Sequence, residues 1–308
     1  MRAKKPAKKK AAKQKTKTKR KAKPKSKQKS EKKRSESKPV DAVPSLQSME
    51  SVLSALGGMG PGEASAVDDA QDIMYEAWEA STRRRAVALA RKALKVSEDC
   101  ADAYVFLAEE ASKSHDEMTD LYRKGVEAGE RALGAEAFKE DIGHFWGLLE
   151  TRPYMRARAG LAQCLWEAGD REEAVEHYWE MLRLNPNDNQ GLRDLLMPYL
   201  IELGRDEDAE KLFQQYKEDS MAAWMYSRAL LDFRSQGDCP VADKSLKAAT
   251  EENQHVLAYL LGRKKMPREL PGFYGFGDEN EAVLYVYGNE AAWHASAGAI
   301  EWASSKLS

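Results

Sequence analysis

The string LWEAGDREEAVEHY, residues 165–178, returns 35 residues later as LIELGRDEDAEKLF, residues 200–213. Gly169, Ala174 and Tyr178 of the first copy become Gly204, Ala209 and Phe213 of the second. This recurrence restricts the fold more than any other feature. Each copy is a supersecondary unit that cannot bury its apolar face alone, so neighbouring copies must stack. The full unit, residues 155–188, reads MRARAGLAQCLWEAGDREEAVEHYWEMLRLNPND. Leu161, Ala162, Leu165, Gly169, Ala174, Tyr178, Leu182 and Pro186 follow the tetratricopeptide spacing. Ala162 and Ala174 are small where two helices cross closely, and Leu161, Leu165 and Tyr178 fill the space around the crossing. Gly169 turns the chain between the helices, and Pro186 stops the second one.

Weaker copies flank this pair. Gly237, Ala242, Leu246 and Ala249 repeat the pattern downstream, and Ala86, Ala90, Ala93 and Leu94 supply a second helix upstream. Alanine, leucine, glutamate, lysine and arginine dominate from residue 67 onward, and strand-type alternation of β-branched residues is nearly absent. The expected fold is therefore all-α: a tetratricopeptide-like (TPR-like) solenoid of helical hairpins over residues 67–262, with residues 135–154 interrupting the period. Residues 263–308 should form a loop, "RKKMPRELPGFYGFGDENEA", and a capping helix pair. In that pair Val283, Tyr287, Ala291 and His294 share one helical face. The loop aromatics Tyr274 and Phe276 either pack on the solenoid end or line a pocket.

Charge divides the chain a second way. Residues 1–38 carry 20 of the 49 Lys/Arg and only two of the 50 acidic residues, so a segment of formal charge +18 precedes a remainder of −19. That segment has no Leu, Ile, Val, Phe, Trp or Tyr. It cannot bury apolar surface, and residues 1–39 are expected to form a disordered polybasic tail. Its physical uses are solubility and non-specific contact with nucleic acid or another polyanion. Residues 40–66 read as a linker with a short amphipathic helix at Leu46, Met49, Leu53 and Leu56, ended by GGMGPG. That helix either docks on the body or serves as a partner motif.

Motifs for chemistry are sparse. Three cysteines, Cys100, Cys164 and Cys239, lie far apart without a CxxC, which suits reduced thiols and a cytoplasmic location. No apolar run is long enough for a transmembrane segment. The five histidines form neither HxxxH nor HExxH, and there is no GxSxG. No catalytic residue, metal ligand or cofactor is expected, and the chain reads as a non-enzyme. Glu172, Glu173, Glu176 and Glu180 read as a solvated helix face, and His177 as a surface position beside the core residue Tyr178.

Several segments also resemble a known family. They are DAYVFLAEE, VEAGERAL, LAQCLWEAGDREEAVEHY, SRALLDFR, LKAATEENQHVLAYLLG, GDENEAVLYVY and AAWHASAGAIEWASSKL, in that order over about residues 100–307. Together they are similar to the suppressor-of-tumorigenicity-seven family of tetratricopeptide-like proteins. The resemblance implies a helical repeat domain without established enzymatic activity and without a catalytic motif to carry over. Animal members of that family have hydrophobic membrane segments before this region, where this chain has lysines. The resemblance therefore implies a soluble, bacterial-type relative.

The densest collection of polar and aromatic side chains is GHFWGLLETRPYMRARAG, residues 143–160. His144, Phe145 and Trp146 either line a groove or fill the gap left by the interrupted period. Thr151-Arg152-Pro153 reads as a helix entry. First helices line one face of a tetratricopeptide array, which puts Arg156, Gln163 and Trp166 on that face, with Asp194, then Trp224 and Arg234, in the following units. Arginines there suit a peptide carboxylate, through paired N–H donors; the alternative is pairing with local glutamates such as Glu150. The expected ligand site is Arg152, Arg156, Gln163, Trp166, Asp194, Trp224 and Arg234. The function this suggests is a protein-interaction scaffold for an unidentified protein partner. The alternative is a nucleic-acid-associated protein acting through its polybasic tail.

Overall fold

The computed structural model describes Glu50 and residues 65–307, all within one compact unit, Pro44–Ser308. The expected tail over residues 1–39 and the expected short helix at Leu46–Leu56, apart from Glu50, lie outside the described residues. Among the described residues there are helices, turns and loops but no strand. Glu50 is itself helical. Within residues 65–307 thirteen helices follow one another: α1 (Ala66–Trp78), α2 (Arg83–Val96), α3 (Ala101–Ala111), α4 (His115–Glu140), α5 (Arg152–Ala168), α6 (Arg171–Leu184), α7 (Leu192–Glu202), α8 (Asp206–Gln215), α9 (Ala222–Gln236), α10 (Pro240–Glu252), α11 (Val256–Leu260), α12 (Glu279–Ala295) and α13 (Ala299–Ser305). Neighbours in sequence pack on each other: α1 on α2, α3 on α4, α4 on α5, α5 on α6, α9 on α10.

Local chemistry sets the helix limits. Ser65 opens α1 with a capping box: its Oγ accepts from the Asp68 amide at 3.2 Å, while the Ser65 amide donates to Asp68 Oδ2 at 2.9 Å. Between α5 and α6 the chain reverses through Gly169 at φ +97°, a conformation that costs a side chain dearly and glycine little. Gly204 does the same between α7 and α8 at φ +71°. Ala162, Ala174 and Ala209 are fully buried at the helix crossings, with Leu161, Leu165 and Tyr178 around them. Each such leucine contributes on the order of 1.5–3 kcal/mol by leaving water.

The interruption of the period has a physical basis. Helix α4 runs for 26 residues and is kinked at Gly134, where φ is +70°. The chain after it folds back so that the amides of Gly143 and Phe145 donate to the Leu184 carbonyl at the end of α6, at 2.9 and 3.3 Å. Phe145 is buried there against Phe138 and Tyr154, Trp146 is half-buried, and His144 is exposed.

The C-terminal part departs from expectation in three ways. Helix α12 does not only follow α11; it packs back on α7 and α9. Glu281 helps to fix it: it accepts from the Ala222 amide at the start of α9 (3.2 Å) and from Nδ2 of Asn253, just after α10 (2.9 Å). On α12 the buried face is Val283, Val286, Ala292 and Trp293, whereas Tyr287, Ala291 and His294 are exposed. In the preceding loop Tyr274 and Phe276 do not pack inward; they are 45% and 78% exposed, and Phe273 beside them 80%. A further correction concerns His177. It is largely buried, and burial together with the Arg158 charge pushes its imidazole down to about 4 despite Glu173 beside it.

Candidate functional site

Pro153 starts α5 without losing a hydrogen bond, since the first helical amides have no partner within the helix. Arg152 and Arg156 follow one turn apart, so both guanidinium groups leave the same helix face. They are not left open to solvent. Arg156 grips Asp102 of α3 with two parallel bonds, Nε to Oδ1 at 2.9 Å and Nη2 to Oδ2 at 2.6 Å. Its remaining donor, Nη1, reaches Glu50 Oε1 and Oε2 at 3.2 and 3.1 Å. Arg152 Nη1 donates to the same Glu50 at 2.9 Å, and its Nε is fixed by the Trp146 carbonyl at 2.9 Å.

The cluster is nearly dry. Asp102 is fully buried and Glu50 only 2% exposed. Asp102 Oδ2 also accepts from Gln71 Nε2 of α1 at 2.9 Å. Two aromatic rings flank the cations, Trp146 at 5.5 Å from the Arg152 guanidinium carbon and Trp78 at 6.0 Å from that of Arg156. Burial alone would lower the Arg156 guanidinium, but the Asp102 and Glu50 carboxylates outweigh it and hold it above its ordinary value. Two cations and two carboxylates leave the cluster neutral, which is how four charges tolerate so little water. Glu150, the expected local partner, is exposed and makes no ion pair with either arginine.

The other expected site residues do not join this cluster. Gln163 Oε1 accepts from the hydroxyls of Tyr178 (3.3 Å) and Tyr199 (3.1 Å), and Trp166 lies flat on Tyr199 with ring centres 3.6 Å apart. The Arg171 guanidinium also sits 4.7 Å from the Trp166 ring centre. Asp194 begins α7 beside Arg193, whose guanidinium bridges Asp188 (2.9 Å) and Asp219 (2.7 Å). Burial pushes the Asp194 carboxyl up to about 6; Arg193 opposes this, and Asp219 and Asp188 add to it.

Trp224, expected on an open face, is 1% exposed, stacked on Phe213 at 5.7 Å and edge-on to Tyr216. Arg234 spends its donors on Asp206 (2.7 Å) and on Ser296 after α12 (2.8 Å). The structure thus brings Arg152 and Arg156 together, pairs Gln163 with Trp166 through Tyr199, and places Trp224 and Arg234 with other partners.

Sequence reasoning missed Asp102, Glu50 and Tyr199. Asp102 carried a signal: it is an acid inside the otherwise apolar opening of α3, CADAYVFLA. Glu50 carried none, since it lies 102 residues from Arg152.

The fold and this cluster define a class: an all-helical protein of packed helix pairs whose polar centre is a buried arginine–carboxylate clasp. Among the described residues no helix is long and apolar enough to cross a membrane, and no group of three metal-binding side chains is assembled. The profile of the family described as "ST7 protein" matches residues 61–305, and the chain belongs to that family. It is 26% identical over 266 residues to "Protein ST7 homolog" of Caenorhabditis elegans, covering 75% of this chain and 49% of that protein. Against "Suppressor of tumorigenicity 7 protein-like" of Bos taurus it is 26% identical over 250 residues, covering 74% and 45%. The human protein of the same description gives 26% over 250 residues, covering 74% and 43%. The chain spans about half the length of the curated relatives it matches.

Proposed function

We propose that this chain is a non-enzymatic interaction scaffold, a TPR-like array of helical hairpins that binds a protein or peptide segment. One observation carries the reading. The arginine pair on α5 already holds a carboxylate from a distant part of the chain, Glu50, with three bonds between 2.9 and 3.2 Å. An array that grips its own segment in this way has the chemistry to grip another. The 35-residue recurrence of Gly169, Ala174 and Tyr178 supports the tetratricopeptide assignment. Three free cysteines support a cytoplasmic setting.

The test is capture of partners from the native lysate on immobilised chain, with Trp166→Ala and Arg152→Gln run beside wild type. Both variants must keep the wild-type circular dichroism. The scaffold reading expects a specific band or set to weaken in at least one of them. An identical retained set in both folded variants sinks it.

A second reading rests on charge. Twenty Lys/Arg in residues 1–38 suit non-specific contact with a phosphate backbone. Binding to duplex DNA should then fall steeply with salt and vanish in a chain starting at Val40. No binding even at low salt removes this reading.

A further inference from the structure

We propose that the outward face of α2 is a docking surface for an acidic, amphipathic segment of a partner protein. This rests on the scaffold reading above and adds to it a second surface and a partner chemistry.

Helix α2 reads RRRAVALARKALKV, with six Lys/Arg and no acid. It does so within residues 39–308, whose formal charge is −19. Of the thirteen helices within residues 65–307 it is the one that has bases and no acid. Ala86, Ala90 and Ala93 are buried where α2 packs on α1 and α3. On the opposite side Arg84, Ala88, Arg91 and Lys95 follow one another at steps of three or four residues, with Arg85 and Lys92 beside them, and all six are exposed. Among the described residues none of Arg84, Arg85, Arg91, Lys92 and Lys95 forms an ion pair. Arg83 does, with Glu110 of α3 at 2.9 Å.

This pattern works against the helix that carries it. Arg83, Arg84 and Arg85 fill its first turn, where the helix dipole favours anions. Arg91 and Lys95 repel each other one turn apart, as do Lys92 and Lys95. An acidic partner on the same face removes both penalties at once.

The face is not only cationic. Val87 is half-buried next to Arg84 and Arg91, and Val96 at the end of the helix is 40% exposed. A cleft of about 470 Å³ beside α2 is lined by Arg84, Val87, Ala88 and Arg91 and by Ala111 at the end of α3. An apolar strip between cations matches a segment whose apolar side chains enter the cleft while its carboxylates meet the guanidinium groups. A phosphate backbone uses the charge alone and leaves that strip uncovered. From Arg84 to Lys95 the row runs about 16 Å, the length of three helical turns of a partner.

The experiment uses the full chain and a fluorescein-labelled helical peptide with a leucine stripe flanked by glutamates, read by anisotropy at physiological salt. Arg84→Glu, Arg91→Glu and Lys95→Glu are combined in one variant. Arg263→Glu, Lys265→Glu and Arg268→Glu, exposed cations after α11, make the same change of net charge in a control. Expected is affinity at least ten-fold lower for the α2 variant than for wild type and for the control. A peptide with serine in place of leucine should also bind wild type at least ten-fold more weakly. Residues 1–38 lack Leu, Ile, Val, Phe, Trp and Tyr and would hold both peptides alike. Equal affinity of the α2 variant and the control overturns the proposal, as does a serine peptide that binds as well as the leucine one. A short DNA duplex that loses as much affinity as the leucine peptide in the α2 variant also overturns it, in favour of a phosphate-backbone surface. If the triple variant does not fold, Arg84→Gln combined with Arg91→Gln decides, with a loss of at least three-fold expected. Binding of the peptide through α2, with a lysate capture unchanged by Trp166→Ala and Arg152→Gln, removes the reading above and leaves this inference; the reverse removes this inference alone.

Discussion

Arg156 and Asp102 face each other across α5 and α3 through two parallel hydrogen bonds of 2.9 and 2.6 Å, with the carboxylate fully buried. Side chains 54 residues apart thereby fasten the best repeat of the chain to the helix pair that precedes it. A buried pair of this kind makes removal of one partner costly, because the other charge stays in the interior.

Asp102→Asn should therefore destabilise the chain by about 3–5 kcal/mol. The Asp102→Leu, Arg156→Met double variant should recover much of that loss, since apolar groups of similar volume leave no orphaned charge. Urea unfolding followed by circular dichroism measures both. A single variant with the wild-type midpoint would show that the pair does not hold α3 to α5.

Helices α4 and α5 approach closely at Gly129. A Cβ added there would lie 2.8 Å from Tyr154 Cβ and 3.1 Å from the Tyr154 backbone. Alanine is better than glycine inside a helix by about 1 kcal/mol, so propensity alone favours Gly129→Ala. Packing should reverse the sign and cost about 1–3 kcal/mol net. A raised thermal midpoint in this variant would mean that the helices separate without penalty.

Trp224 fills space between Phe213 and Tyr216 and is almost fully buried. Trp224→Ala should lower stability by about 3–5 kcal/mol through the cavity it leaves. Any loss of partner binding should then track unfolding and disappear when folded protein alone is counted. Intact stability with lost binding would return Trp224 to an open face.

Two titrations with opposite signs should shape stability in mild acid. The Asp194 carboxyl is pushed up to about 6, so between about pH 4 and 6 the native chain keeps a proton that the unfolded chain has lost. Its contribution therefore falls as pH rises through that window. Asp194→Asn should stabilise at pH 7 by about 1–2 kcal/mol, after discounting for partial exposure. His177 runs the other way. Its imidazole is held down to about 4, so the unfolded chain takes up a proton first, and stability falls as pH drops from about 6.5 to 4. His177→Gln should flatten that acid loss, by about 1–3 kcal/mol at pH 4. Unfolding curves at pH 4, 5.5 and 7 separate the two; slopes equal to wild type in both variants would refute these assignments.

The helical pairs could be read from sequence because their signals are local. A glycine at positive φ must end a helix, as Gly169 and Gly204 do, and small residues must stand where helices cross, as Ala162, Ala174 and Ala209 do. The same periodicity singled out Arg152 and Arg156 as neighbours on one face. It could not say what that face meets. Trp224 was assigned by repeat position, but the tryptophan is covered by Phe213 and Tyr216, which come from α8 and the turn after it. His177 was assigned to the surface from its place beside the core residue Tyr178, and is instead largely buried near Arg158.

Sequence by itself determined the helix content, the repeat, the break in it and the cationic start, since each depends on residues within a few turns of one another. Tertiary structure decided the partners of the arginines and the route of α12 back to α7 and α9. Those depend on charge balance and close packing between residues as distant as Glu50 and Arg156, 106 positions apart. A helix pattern sets which side of a residue faces inward, but only the assembled neighbours fix whether that side meets water, a ring or a carboxylate.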